Sequence, residues 1–129
     1  NRMKERESSS LICVFGCGGN RDKNKRPVMG KIASSYADRG YVTSDNPREE
    51  PIDKIIGEIM SGICSKKKRD WLAIPDRRKA IEVAITRAGK NDIVLIAGKG
   101  HEKTQQIKGV LFKFSDKSVV EELIQKGIH

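Results

Sequence analysis

The chain has 129 residues, 36% of them apolar and 33% charged, which suits one domain with a sizeable core and is too short for two of typical size. No apolar run approaches the length of a membrane span and the opening NRMKERESSS lacks an apolar signal-peptide core, so a cytoplasmic location and no membrane partner are expected. A formal net charge of +9 points to an anionic partner, either nucleic acid or a phosphorylated small molecule. Stacking on single strands is disfavoured, because Trp71, Tyr36, Tyr41 and the three Phe do not interleave with basic residues.

In chain order, residues 1–10 show no core-like pattern and read as the remnant of a link to upstream domains, with the domain itself over 11–129. LICVF, 11–15, is a short continuous apolar run ending in GCGG, which predicts a buried strand feeding a turn. Pro27 suits the first turn of a helix whose apolar positions are Val28, Ile32, Ala33 and Tyr36, with Gly40 as its stop. YVT is the next strand. Pro51 opens a second helix with Ile52, Ile55, Ile56, Ile59 and Met60 on one face and Gly62 near its end. The basic run Lys66–Arg69 reads as a solvated loop.

WLAI, 71–74, is a third strand, followed by a helix with Asp76 as N-cap, Ala80, Ile81, Ala84 and Ile85 inward, and Gly89 as C-terminal stop. DIVLIAG, 92–98, is the strongest strand. QIKGVLFKF predicts a hairpin turning at Lys108-Gly109, and SDKSVVEELIQKG a closing helix. Alternating strands and helices predict an α/β, Rossmann-like fold: a mostly parallel sheet flanked by helices, with an antiparallel C-terminal hairpin at its edge.

In open parallel sheets, ligands bind beyond the carboxyl ends of the strands. Three loops at such ends are rich in glycine and polar groups: GCGGNRDKNKRP (16–27), TSDNPREEP (43–51) and AGKGHEKTQQ (97–106). All three are expected on one edge. The first is no dinucleotide fingerprint, since Arg21 stands where its last glycine belongs, and no phosphate-binding P-loop, since Gly-Lys-Ser/Thr is missing. Two readings of it stand: a tight turn with solvated cations, or backbone amides cradling a phosphate among Arg21, Lys23, Lys25 and Arg26. GKGHE lacks the second His of a zinc-protease helix, and Cys13, Cys17 and Cys64 find no partners for a zinc set, so reduced thiols and no metal ligands are expected.

Taken together, VFGCGGNRDKNKRPVMGKIA, TSDNPR, IPDRRKAI and IAGKGHE resemble, in order and spacing, the C-terminal domain of the Mur ligases, of the MurE type that adds meso-diaminopimelate to UDP-N-acetylmuramoyl-L-alanyl-D-glutamate. The resemblance implies ATP-dependent amide synthesis through an acyl phosphate, with ATP and Mg²⁺ held mainly by absent upstream domains. No catalytic residue is then expected in this fragment, which should be inactive alone, and a monomer is expected. It further implies diaminopimelate contacts from Arg21, Asp45, Asn46, Pro47, Arg48, Gly98 and Glu102, and ATP contacts from Asn20 and Lys23. Arg48 and Arg21 suit the distal carboxylate, Asp45 and Glu102 the ammonium groups, and Gly98 offers backbone. KTQQIKG after Glu102 departs from the family pattern, as does Lys117 in FSDKSVVEE. The alternatives are a basic nucleic-acid-binding module, disfavoured by acidic residues in two of the loops, and a Mur-like homologue with a changed substrate.

Overall fold

The computed structural model describes residues 9–18, 24–45, 49–98 and 104–126. In chain order these form β1 (Leu11–Gly16), α1 (Lys25–Tyr36), β2 (Arg39–Val42), α2 (Ile52–Met60), β3 (Trp71–Ala73), α3 (Arg77–Arg87), β4 (Ile93–Gly98), β5 (Thr104–Ile107), β6 (Val110–Lys113) and α4 (Lys117–Gln125). The strands make one six-stranded sheet in the order β3-β2-β1-β4-β6-β5. Only the β5–β6 pairing is antiparallel; β6 itself runs parallel to β4. The expected fold class is therefore present, including its antiparallel edge. Lys108 and Gly109, the residues expected to turn the hairpin, have φ of 47° and 82°, the doubly left-handed geometry of a two-residue hairpin turn.

Strand side chains alternate between two cores. On one face Ile12, Val14, Tyr41, Val94, Ile96, Val110 and Phe112 pack under α3 and α4, which supply Ala80, Ile81, Ala84, Ile85, Val120 and Leu123. On the other, Cys13, Phe15, Val42 and Trp71 meet Ile55, Ile56 and Ile59 of α2. The rings of Phe15 and Trp71 meet edge to face, with centroids 6.0 Å apart. α2 and α3 thus bury the faces that their spacing predicts, and Asp76 caps α3 by accepting from the Lys79 amide at 3.2 Å.

α1 corrects the sequence reading. Val28, Ile32 and Tyr36, expected inward, are 52%, 46% and 77% exposed, and the helix instead buries Arg26, Gly30 and Ser34, one turn apart. The reason is contact distance rather than hydropathy. A Cβ on Gly30 would lie 2.1 Å from the Ile59 carbonyl oxygen, so α1 and α2 meet backbone to backbone and only small residues fit the seam. Gly40 is likewise no helix stop. α1 ends at Tyr36 and Gly40 lies inside β2, where a Cβ would collide with the Trp71 ring and the Cys13 carbonyl.

Helices lie on both faces of the sheet as expected, and among the described residues they leave part of one face open. The β4-to-β6 link contains strand β5 where a crossover helix would usually lie. On the α1 side of β4 an apolar groove of about 390 Å³ runs past Leu11, Cys13, Phe15, Ile32, Tyr36 and Leu95. Among the described residues no helix is long and apolar enough to cross a membrane.

Candidate functional site

The strands preceding the three glycine-rich and polar loops are neighbours. β1 lies between β2 and β4, parallel to both, with Phe15 opposite Val42 and Gly16 opposite Gly98. Their carboxyl ends are therefore level and adjacent, as the sequence reading requires. From β1 the chain winds outward through β2 to β3, then returns to place β4 on the other flank of β1. This reversal makes the gap between β1 and β4 a topological switch point, where open α/β sheets bind their ligands.

The two edges of the sheet satisfy their backbone groups in opposite ways. At the amino edge, strand starts present N–H groups, and acidic side chains accept them: Asp38 from Leu11 at 2.8 Å, and Asp92 from Ser10 at 2.7 Å. At the carboxyl edge, chain leaving the strands presents carbonyls, and arginines donate to them. Arg77, at the start of α3, donates from Nη1 to the Ser44 carbonyl at 3.1 Å and from Nη2 to the Ala97 carbonyl at 3.4 Å. Asp116 holds the same guanidinium in a bidentate pair, both contacts at 2.9 Å. One side chain thus ties the start of the second loop to the end of β4, next to Gly98.

A second arginine ties the other pair of loops. Arg26, 1% exposed, donates to the Gly18 carbonyl at 3.1 Å, to both carboxylate oxygens of Glu50 at 2.7 and 3.1 Å, and to Glu58 at 2.7 Å. The Glu50 hydrogen bonds raise its pKa further above the usual guanidinium range; burial opposes this and Glu58 assists. Arg26 therefore does not belong among phosphate-facing cations: burial and two carboxylates commit it to holding the first loop against the exit of the second. Gly16 adds to that seam, since a Cβ there would lie 2.2 Å from the Thr43 carbonyl oxygen.

Of the predicted binding residues, Asp45 and Gly98 lie within the described chain. Gly98 ends β4, and the Asp45 carboxylate lies 3.6 Å from Lys113 Nζ, a side chain only 10% exposed. Asp45 thus has a cation of its own beside it at the site. Asn20, Arg21, Lys23, Asn46, Pro47, Arg48 and Glu102 lie outside the described residues. Arg77, Asp116 and Lys113 received no role from the sequence. For Arg77 the signal was present, in the IPDRRKAI segment, but nothing local shows that its partners lie 20, 33 and 39 positions away. Among the described residues no group of three or more His, Cys, Asp or Glu comes together to hold a metal ion.

A doubly wound α/β domain in which three strands end side by side at a switch point is a Rossmann-like module. Comparisons with known proteins define it further. The family described as "Mur ligase, glutamate ligase domain" matches residues 1–100, and the chain belongs to that family. A protein of Aquifex aeolicus is 54% identical over 114 residues, covering 88% of this chain and 23% of its own. One from Syntrophomonas wolfei is 49% identical over 122 residues, covering 95% and 25%. A third, from Buchnera aphidicola subsp. Schizaphis graminum, is 46% identical over 128 residues, covering 99% and 25%. All three are named UDP-N-acetylmuramoyl-L-alanyl-D-glutamate--2,6-diaminopimelate ligase. A solved structure of a ligase of that name superposes with a TM-score of 0.76 at 42% identity, over 99% of this chain and 26% of that one. The chain thus spans about a quarter of the length of the relatives it matches.

Proposed function

We propose that this chain is the amino-acid-binding domain of an ATP-dependent ligase that joins meso-diaminopimelate to UDP-N-acetylmuramoyl-L-alanyl-D-glutamate in the cytoplasm, during synthesis of peptidoglycan precursors. Residues 11–129 are the domain and residues 1–10 the link to upstream domains that carry most of the ATP, Mg²⁺ and uridine-nucleotide contacts. The observation that supports this best is the level ending of β1, β2 and β4 at a switch point, where the chain carries DNPR after β2 and GKGHE after β4. The names of the relatives point the same way.

The chemistry assigned to the domain is recognition. The complete enzyme activates a substrate carboxylate as an acyl phosphate, and this domain presents the attacking amine. Diaminopimelate is a zwitterion at both ends, so its site needs cations and anions together. Arg48 and Arg21 take the distal carboxylate, Asp45 and Glu102 the ammonium groups, and Asn46, Pro47 and Gly98 shape the backbone around them. Asn20 and Lys23 approach the terminal phosphates of ATP. Lysine lacks the distal carboxylate and would leave the guanidinium without its partner, a loss of roughly 1–3 kcal/mol or more for a charged group.

The test is the R48A substitution in the full-length ligase, assayed with meso-diaminopimelate and with lysine. Selectivity for diaminopimelate should fall by roughly tenfold or more, the equivalent of about 1.4 kcal/mol. Unchanged selectivity refutes the assignment.

A further inference from the structure

We infer that Arg77, oriented by Asp116, is a positioning residue for this amino-acid site: it sets the separation between the chain leaving β2 at Ser44 and Asp45 and the end of β4 at Ala97 and Gly98, and with it the fit of the ligand. The inference rests on the recognition role proposed above and concerns a residue outside the assigned contacts. Arg77 donates to the carbonyl of Ser44, immediately before Asp45, and to that of Ala97, immediately before Gly98. The chain leaving β2 and the end of β4 are thus tied to a single planar group.

The planarity is what makes the tie rigid. Asp116, 5% exposed, takes Nε and Nη2 in one bidentate contact, which fixes the plane of the guanidinium. With that plane fixed, one N–H of Nη1 points at the Ser44 carbonyl and the second N–H of Nη2 at the Ala97 carbonyl. Asp116 stands directly before α4, and Arg77 opens α3, so the frame is anchored to both helices that cover this face. A lysine at position 77 has one ammonium on a flexible stem and cannot hold a carboxylate and two carbonyls in one plane. Misplacement of a binding group by about 1 Å costs on the order of a hundredfold in rate, so a small slackening of this frame is measurable.

The experiment uses the full-length ligase with R77M, R77K and D116N, measuring KM separately for meso-diaminopimelate and for ATP. R77M should raise KM for diaminopimelate by about tenfold or more while KM for ATP stays within about twofold. R77K should not restore it, and D116N, which keeps the carbonyl contacts, should shift it in the same direction by less. A purely structural role predicts fewer active molecules, with both KM values unchanged. If R77M does not fold, D116N and R77K carry the same comparison. Unchanged KM for diaminopimelate in these variants, beside a wild type that saturates with it, overturns the inference alone. A wild type that shows no saturation with diaminopimelate overturns the recognition role and this inference with it.

Discussion

At the scale of single residues, the buried charge and the buried thiol make separate demands. Arg26 is sealed from water between Glu50 and Glu58, so R26M takes from Glu50, itself 10% exposed, the cation that it holds through both carboxylate oxygens. Lys54 Nζ stays 3.9 Å from Glu50, so such a change is expected to destabilise the fold by about 1–3 kcal/mol, read as a lower urea midpoint. Cys13, 7% exposed, has its thiol pushed up from an ordinary 9.0 to about 12 by burial. Because the folded pKa lies above the unfolded one, the stabilising contribution of the neutral thiol is complete below pH 9. It is lost progressively as the pH rises towards 12, where the unfolded chain ionises first. C13A should therefore lose less stability than the wild type between those limits, measured by denaturant titration across pH. In the native chain a thiol-alkylating reagent should modify the exposed Cys64, leaving the buried Cys13 and Cys17 for the unfolded chain.

Elements show what hydropathy periodicity can and cannot reveal. In α2 and α3 the isoleucines and alanines at helical spacing are the residues that pack, because those helices lie on the sheet through side chains. In α1 the same rule succeeds only at Ala33, which packs against the second core, since the helix approaches α2 through Gly30 and buries its arginine at Gly18 and Glu50. A paired substitution separates the two cases. A methyl group added at Gly57, on the exposed side of α2, would meet nothing within 4 Å, so G57A should stabilise by about 0.5–1 kcal/mol through helix propensity. G30A makes the same chemical change against the Ile59 carbonyl and should destabilise, with the opposite sign visible in the thermal midpoint. The pairing beyond β4 was equally hard to read: QIKGVLFKF with its Lys108-Gly109 turn shows a hairpin, but not that its second strand pairs in parallel with β4.

For the whole molecule, the adjacency of the three strand ends was legible in the sequence, because strand-then-loop order in a parallel sheet fixes which ends face together. That is why Gly16, Val42 and Gly98 end level once β1, β2 and β4 are neighbours. The Arg77 and Arg26 ties were not legible, since each joins residues distant in sequence whose individual types are common. Arg26, Arg77 and Lys113 are committed inside the fold to Glu50, Glu58, Asp116 and Asp45, so the excess behind the net charge of +9 falls to the remaining residues. In the proposed function, the carboxyl edge between β1 and β4 recognises an amino acid by its second carboxylate. NMR titration of the labelled chain with meso-diaminopimelate and with lysine tests this most directly. Saturable shifts confined to residues following β1, β2 and β4, for diaminopimelate alone, are expected; equal responses to both amino acids, or shifts centred on α3 and α4 away from that edge, would contradict it.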